Sequence, residues 1–331
     1  MSKPRVFVTR QIPAAGLDLI LAHTHAEVWP EPLPPAYEVL KQKAADCEGL
    51  VTLLTDRIDG ELLDACPKLR VVSNYAVGFN NIDVSAATHR GICVGNTPGV
   101  LTDATADMAF CLLIAAARRL VDGYDYGRSN KWLTWEPLGH IGQDLVGRTL
   151  GIVGMGRIGY AMAKRCRLGW DMNVIYHDQN RNAQAESVLG AKKVDLATLL
   201  SESDFVSVHT DLNETTRGMF NAAAFAQMKR TAVFINTARG PIVVEQDLID
   251  ALNGGVIFAA GLDVTDPEPP VPNSPLFRTP NLIVAPHIAS ATTATRNAMA
   301  EICANNLLAG LSGSELPAWV NPEVASQRRL A

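Results

Sequence analysis

The sequence predicts an α/β protein built from two doubly wound parallel sheets. Its 331 residues suffice for about two domains, at roughly 150 residues per domain. Short apolar runs rich in β-branched residues alternate with helical patterns along the chain, as in parallel strands joined by crossover helices. The strand patterns form two series separated by one long apolar helix, and we therefore expect two sheets.

The first series of elements lies within the first hundred residues. Its apolar runs are bounded by turn residues, and the segments between them carry helical periodicity. We predict strands at Arg5–Thr9, Glu27–Trp29, Gly49–Leu54, Leu69–Ser73 and Cys93–Val94, and helices near Ala14–Leu21, Ala36–Ala44, Gly60–Cys66 and Val84–Arg90. These elements make a small doubly wound domain.

A long helix is predicted between the two series, from Thr102 to about Arg119. Thr102 is placed as its N-cap, and Asp103 in the first turn suits the helix dipole. From Ala106 to Ala117 the pattern is apolar on nearly every side, which predicts a helix buried all round. One domain rarely encloses a helix so completely, so we expect a subunit interface there.

The second series of strands follows this helix. Its predicted strands are Arg148–Val153, Asn173–Tyr176, Phe205–Val208, Ala232–Asn236, Ile257–Gly261 and Leu282–Ala285. A final helix, from about Thr292 to Leu311, is expected to cross back and pack on the first domain. We therefore predict a discontinuous domain of residues 1–101 and 288–331, with residues 102–287 inserted as the second domain.

Composition excludes several classes of partner. The chain has 29 Lys and Arg against 34 Asp and Glu, a net charge of −5, so no basic surface for nucleic acid or an anionic membrane is expected. The six scattered cysteines lack metal-ligand spacing and predict reduced, buried thiols without a metal site. The longest apolar stretch, Ala104–Ala117, is shorter than the ~20 residues of a membrane span, and no signal-peptide core is present. We expect a cytoplasmic protein.

A glycine motif follows the first strand of the second series. Gly154, Gly156 and Gly159 form G-x-G-x-x-G between that strand and a helical pattern. The first glycine permits a tight turn, the second lets a pyrophosphate approach the helix N-terminus, and the third lets helix and strand pack closely. Asp178 ends the next strand, where its carboxylate can bind the ribose hydroxyls and repel a 2′-phosphate. The motif predicts dinucleotide binding with NADH preferred over NADPH, although Arg181 nearby offers a phosphate contact.

Three polar residues follow three later strands of the same series. Arg239, Glu268 and His287 each lie just beyond a strand, and in open α/β sheets ligands bind at the carboxyl ends of strands. Arg239 can hold a carboxylate with two hydrogen bonds and polarise the adjacent carbonyl, and His287 can donate a proton to the carbonyl oxygen. Glu268 can orient the imidazole and favour its protonated form. Each residue alone also fits an ordinary structural role, but together they predict reduction of a 2-oxo acid.

With these residues in place, the chain resembles the D-isomer-specific 2-hydroxyacid dehydrogenases, and most closely their glyoxylate/hydroxypyruvate reductase branch. The likeness extends over nearly the whole chain. Its specific segments, in addition to the glycine motif, are Asn74–Asp83, Asn96–Asp107, Asn236–Gly240, Gly261–Val264 and Pro286–Ser290.

The resemblance implies a Rossmann nucleotide-binding domain inserted in a flavodoxin-like substrate domain, with a cleft that closes by hinge bending. Arg239, Glu268 and His287 fall on the catalytic Arg, Glu and His of the family. The implied cofactor contacts are Thr105, Gly154, Gly156, Arg157, Ile158, Gly159, Asp178, Thr210, Thr237, Ala238 and Asp263, of which Asp263 would contact the nicotinamide amide. The implied substrate contacts are Leu53, Val77, Gly78, Arg239 and His287, with the amides of Val77 and Gly78 on the substrate carboxylate.

The resemblance also implies a homodimer through the helix region 102–119. In similar reductases an aromatic residue from the following loop reaches the active site of the partner, and Trp135 matches that residue. Two departures from the family are evident. His209–Leu212 replaces a common Pro-Leu, and the Asp211 it contains is expected near the adenosine, where it would further disfavour NADPH. Pro269–Pro272 is richer in proline than usual and is expected to stiffen its loop.

These observations lead to an expected function. We expect an enzyme that uses NAD(P)H to reduce glyoxylate to glycolate and hydroxypyruvate to D-glycerate, with His287 as general acid. A dehydrogenase of the same family for D-lactate, phosphoglycerate, formate or phosphite remains an alternative. An NAD-sensing protein like the transcriptional corepressors that share this fold is a second alternative, which negligible turnover would favour.

Overall fold

The structure, a computed structural model, describes residues 3–329 and divides into two compact units. The first unit comprises residues 3–101 and 291–329, and the second comprises residues 102–290. The first of the two boundaries follows Leu101. The second boundary lies after Ser290, three residues beyond the expected one at His287, so the segment that follows the last strand stays with the second unit.

The first unit is a five-stranded parallel sheet with helices on both faces. Its strands have the order β2-β1-β3-β4-β5, the flavodoxin-like arrangement. Its elements are β1 (Arg5–Val8), α1 (Ala14–His23), β2 (His25–Val28), α2 (Tyr37–Ala44), β3 (Gly49–Thr52), α3 (Gly60–Asp64), β4 (Val71–Asn74), α4 (Val84–His89) and β5 (Cys93–Gly95), completed by the C-terminal helix of the chain.

The second unit begins with two helices and continues as a seven-stranded parallel sheet. Its elements are α5 (Thr102–Ala117), α6 (Leu120–Arg128), β6 (Thr149–Val153), α7 (Arg157–Trp170), β7 (Asn173–His177), α8 (Ala183–Leu189), β8 (Lys192–Lys193), α9 (Leu196–Glu202), β9 (Phe205–Val208), α10 (Ala222–Ala226), β10 (Val233–Asn236), α11 (Glu245–Asn253), β11 (Ala259–Leu262) and β12 (Leu282–Val284). The C-terminal helix of the chain, α12 (Thr293–Ser312), belongs to the first unit.

The strand order of the second unit is that of a Rossmann fold. The sheet runs β12-β11-β10-β9-β6-β7-β8, so the order reverses between β6 and β9, at the switch point where such sheets bind ligands. Its central strands are buried along their whole length, as expected of a parallel sheet covered on both faces. Both predicted fold types are therefore confirmed.

The long helix is only partly covered by its own chain. Asp103, Asp107 and Cys111 lie one turn apart on α5 and are exposed, so within its own chain the helix is not buried all round. The exposed aspartates bind Arg165 of α7, with its Nε 2.6 Å from Asp107 and its Nη2 3.0 Å from Asp103. The helix also ends at Ala117, because the chain turns through a left-handed residue before α6.

The cysteines are free thiols, and five of the six are buried. Cys111 is exposed, contrary to the expectation of six buried thiols, because it faces outward on α5. Within residues 3–329 no helix is long and apolar enough to cross a membrane.

Candidate active site

The glycine turn between β6 and α7 has the geometry of a dinucleotide cradle. Gly154 has φ +93°, and a Cβ there would lie 2.6 Å from the backbone N of Thr210. A Cβ on Gly159 would lie 2.1 Å from the carbonyl oxygen of Gly154, so only glycine lets α7 pack this close to the turn. In contrast, a Cβ on Gly156 would meet no atom within 4 Å. The open space thus lies at the helix N-terminus, where the motif requires room for a pyrophosphate.

Two side chains fix this turn from the neighbouring strand. Asp178, which follows β7, accepts a 2.8 Å hydrogen bond from the backbone N–H of Met155 with its Oδ2. Its Oδ1 accepts another of 2.8 Å from the backbone N–H of Asn180. Asn182 donates from its Nδ2 to the carbonyl of Met155. The carboxylate of Asp178 therefore lies against the glycine turn, where the motif predicts the ribose-binding acid.

Other predicted cofactor contacts lie around the ends of the adjacent strands. Thr210 lies two residues beyond the end of β9, and its backbone packs against the glycine turn. Thr237 follows β10, and its Oγ1 is buried without a hydrogen-bond partner among the described residues. Ala238 is half-buried beside it, Thr105 is buried within α5, and Arg157 and Ile158 open α7. A buried hydroxyl without a partner is costly to a fold, so this atom has the character of a ligand contact.

The loop after β10 holds Arg239 in a constrained position. Asn236 donates from its Nδ2 to the carbonyl of Arg239 and accepts from the backbone N–H of Ala238. A Cβ on Gly240 would lie 1.9 Å from the carbonyl oxygen of Thr265, so the loop after β10 packs directly on the loop after β11. The Arg239 guanidinium is half-buried, and burial lowers its pKa, while the nearby charges of Glu268 and Asp211 raise it. An arginine remains cationic in this setting.

Glu268 and His287 form a hydrogen-bonded pair across two neighbouring loops. Nδ1 of His287 lies 2.5 Å from Oε1 of Glu268. The pair is open to solvent: the His287 side chain is 27% exposed and the Glu268 side chain 39% exposed. Because Nδ1 faces the carboxylate, Nε2 is the ring nitrogen left to face a substrate.

The backbone at His287 is strained and held in place by Asp263. His287 has φ +54°, a left-handed conformation that is uncommon for a residue with a side chain. The Asp263 carboxylate accepts 2.8 Å hydrogen bonds from the next two backbone N–H groups, those of Ile288 and Ala289. Burial raises the pKa of Asp263, and these two bonds oppose the shift. Asp263, predicted to contact the nicotinamide amide, thus also positions the histidine loop.

The substrate contacts predicted in the first unit lie in two loops beyond its strands. Leu53 follows β3 and is half-buried. The Val77 carbonyl accepts from Asn96 Nδ2 and the Gly78 carbonyl accepts from Asn74 Nδ2. Within residues 3–329, the N–H groups of Val77 and Gly78 donate to no protein acceptor. These two fixed amides are suited to bind an anion.

Several residues that shape the site escaped sequence reasoning. Asp56 is buried, and its carboxylate accepts a 2.7 Å hydrogen bond from the backbone N–H of Leu53. Asn182 carries only the signal of a helix N-cap, whose side chain also accepts from Ala185. His209 binds the Ser207 hydroxyl, and burial lowers its pKa to about 3. Its imidazole is therefore neutral at physiological pH.

A dinucleotide cradle beside an Arg and a Glu–His pair defines an oxidoreductase-type Rossmann site. Comparison with known sequences is in agreement: residues 110–289 match the family model described as D-isomer specific 2-hydroxyacid dehydrogenase, NAD binding domain. No group of three or more His, Cys, Asp or Glu residues able to hold a metal ion occurs in the described part of the chain.

Similarity to known proteins covers both units. A glyoxylate reductase of Korarchaeum cryptofilum is 50% identical over 327 residues, covering 98% of each chain. A crystal structure from Thermus thermophilus superposes with a TM-score of 0.89 at 44% identity and covers 96% of this chain and 99% of that one. An NADPH-dependent glyoxylate/hydroxypyruvate reductase from Sinorhizobium meliloti, solved with NADP and malonate, has a TM-score of 0.85 at 32% identity over the full length of both chains. The chain belongs to the D-isomer-specific 2-hydroxyacid dehydrogenase family, and its second unit binds a nicotinamide dinucleotide.

Proposed function

We propose that this protein reduces small 2-oxo acids, glyoxylate and hydroxypyruvate first, to the corresponding 2-hydroxy acids. The observation that carries the proposal is the Glu268–His287 pair, 2.5 Å apart, at the same sheet edge as Arg239 and the glycine turn. The glyoxylate reductase relatives, about half identical in sequence, support this substrate class. When bound, the reduced nicotinamide supplies a hydride to the carbonyl carbon.

The residues of the chain supply binding and the proton. Arg239 binds the substrate carboxylate and polarises the adjacent carbonyl group, because a guanidinium offers two parallel N–H donors. His287 donates the proton from Nε2 to the carbonyl oxygen. Glu268 accepts from Nδ1, which fixes the ring and stabilises its cationic form before transfer. The free amides of Val77 and Gly78 are proposed as further donors to the carboxylate, with Leu53 lining the substrate.

The charges near Asp178 support a preference for NADH over NADPH. Asp178 offers a carboxylate at the position of the ribose hydroxyls, where a 2′-phosphate would be repelled. Arg181, the cation that could offset this repulsion, is bound to Glu186: its Nε lies 2.9 and 2.7 Å from the two carboxylate oxygens. Glu186 also accepts from the Tyr176 hydroxyl. The guanidinium is thus engaged, which favours the cofactor without the phosphate.

We further propose a homodimer formed through residues 102–119 and the following segment. Four large apolar side chains in a short stretch are exposed: Trp132 (71%), Leu133 (88%), Trp135 (80%) and Leu138 (83%). Such a concentration of exposed apolar surface is characteristic of an interface. Sedimentation velocity of the protein and of its Trp135→Ala variant tests the assembly. A monomer at micromolar concentration contradicts it.

Steady-state kinetics test the proposed reaction and cofactor together. The rate constant kcat/KM is measured for glyoxylate, hydroxypyruvate and pyruvate, each with NADH and with NADPH, by following cofactor absorbance. We expect the first two acids to be preferred and NADH to be the better cofactor. A strong NADPH preference contradicts the role of Asp178. Binding of NADH without turnover of any of the acids contradicts the proposed reaction.

A further inference from the structure

The register of the sheet brings an acid into the loop neighbouring that of Arg239. Strands β9 and β10 are paired in parallel, with Val208 opposite Asn236. Asp211 and Arg239 each lie three residues beyond this pair, and adjacent strands are about 4.8 Å apart. Asp178, by contrast, follows β7, which is separated from β9 by β6. Asp211, expected near the adenosine, is thus one strand from the catalytic arginine and two strands from the ribose-binding acid.

The loop that carries Asp211 is fixed by its own hydrogen bonds. The Thr216 hydroxyl donates to the carbonyl of Asp211 over 2.7 Å and accepts from the backbone N–H of Asn213 over 2.8 Å. The carboxylate of Asp211 makes no hydrogen bond or ion pair within the described part of the chain, and the residue is exposed. The backbone of Asp211 is therefore held in place, and its carboxylate contacts no cation among the described residues.

This charge acts on the site of the substrate carboxylate. Asp211 and Glu268 are the two acids that raise the pKa of Arg239 against the lowering effect of burial. The guanidinium thus lies in the electrostatic field of two carboxylates. A ligand with one negative charge can be bound by Arg239, but a second negative charge on the same ligand meets repulsion that Arg239 alone does not offset.

We propose that Asp211 is a specificity-determining residue that makes the Arg239 site select small monoanionic 2-oxo acids and disfavour dianionic ones. This inference rests on the proposed function, because it takes Arg239 as the residue that binds the substrate carboxylate. Asp211 contributes through its charge, not through a hydrogen bond or packing. Neutralising Asp211 should therefore strengthen the binding of dianions more than the binding of monoanions.

Ligand binding gives the direct test. Dissociation constants for oxalate, a dianion, and glycolate, a monoanion, are measured by calorimetry on the NADH-loaded wild type and the Asp211→Asn variant. Removing one negative charge should lower the Kd of oxalate about threefold more than the Kd of glycolate. The difference should shrink in 0.5 M KCl, because salt screens an exposed charge.

Two further variants test whether the effect requires a negative charge at position 211 and not merely any negative charge in the same loop. Glu214→Gln removes the same charge from the same exposed loop at a residue that is not among the charges acting on Arg239, and the oxalate-to-glycolate Kd ratio should stay near that of the wild type. Asp211→Glu restores the charge and should restore the ratio. An unchanged ratio in Asp211→Asn, an equal change in Glu214→Gln, or no oxalate binding to wild type and variant alike overturns the inference.

Turnover of glyoxylate by the wild type and by Asp211→Asn tests the proposed reaction independently of the role of Asp211. If both proteins reduce glyoxylate with similar kcat while the Kd ratio is unchanged, the reaction stands and the role of Asp211 is wrong. If the Kd ratio shifts as expected but neither protein turns over glyoxylate, Asp211 still controls anion charge selection and the proposed reaction is wrong.

Discussion

The two sheets share one architecture and use their glycines differently. In the first unit, Gly16 and Gly310 lie in helices, where a Cβ would meet Ala300 at 2.1 Å and Val71 at 2.6 Å. In the second unit, Gly240 and Gly154 lie in loops beyond strand ends, where a Cβ would lie 1.9 Å from the Thr265 carbonyl oxygen and 2.6 Å from the backbone N of Thr210. Gly16 and Gly310 thus let a helix pack closely in the first unit, whereas Gly154 and Gly240 let loops of the candidate site pack closely in the second. Substituting a helix glycine of the first unit should therefore lower stability, and substituting a loop glycine of the second unit should lower activity.

The strand ends differ in charge as well. The sheet of the second unit ends in Asp178, Arg239 and His287, whereas the substrate loops predicted in the first unit offer the neutral amides of Val77 and Gly78. Proton transfer needs a titratable group, and a carboxylate can be held by amides alone. We therefore propose that the second unit supplies the proton and that the amides of the first unit add to the binding of the carboxylate.

The largest expected effect comes from removing the proton donor. In His287→Gln, kcat for glyoxylate should fall by about 10²–10⁴, the usual contribution of general acid catalysis. The Kd of NADH, measured by fluorescence titration, should stay within about twofold of that of the wild type, since the glycine turn is untouched. Unchanged kcat would show that another group donates the proton.

A smaller but still large effect is expected from separating two catalytic loops. In Gly240→Ala the new methyl group meets the Thr265 carbonyl, so the Arg239 loop must move and kcat/KM should fall about 10- to 100-fold, as for misplaced catalytic groups. The matched control is Gly169→Ala in α7, where a Cβ meets nothing within 4 Å. Equal activity in both variants would contradict the role of this contact.

A moderate effect is expected at the ribose-binding acid. Asp178→Asn keeps the shape of the side chain and removes its charge, so the ratio of kcat/KM with NADH to that with NADPH should fall about tenfold. The Glu186→Gln variant, which loosens the engaged Arg181, should shift the ratio in the same direction by a smaller factor. A ratio unaffected by Asp178→Asn would assign cofactor selection to other residues.

The smallest effect on activity is expected from the packing glycine of the first unit. In Gly16→Ala the methyl group meets the backbone of Ala300 in α12, and such overpacking costs about 1–3 kcal/mol. The variant should show a lower Tm by calorimetry with kcat within about twofold of that of the wild type. A loss of catalysis without a change in Tm would show that this helix pair contributes to the site.

The sequence predicted the buried strands well because parallel strands leave continuous apolar runs. It missed β8, since Lys192 and Lys193 form a two-residue polar edge strand that carries no apolar pattern. It missed α6 because the helix follows a single left-handed residue, Arg119. It gave no sign that Asp103 and Asp107 of α5 bind Arg165, because this contact depends on how α7 packs.

The site was predictable where a motif fixes the local backbone and not where two loops meet. Gly154, Gly159 and Asp178 follow from a spacing, and the structure places them together. The packing of Gly240 on Thr265, the hold of Asp263 on the histidine loop and the position of Asp211 beside Arg239 depend on strand order and register. Those are tertiary properties that a residue pattern does not contain.

The most direct test of the central claim is a double-mutant cycle on the Glu268–His287 pair. The rate constant kcat/KM for glyoxylate with NADH is measured for the wild type, Glu268→Gln, His287→Gln and the double variant. If Glu268 acts through the imidazole, the double variant should be no slower than His287→Gln alone, because coupled groups lose their effect together. Losses that multiply across the two substitutions would show that the two residues act independently and would contradict the proposed mechanism.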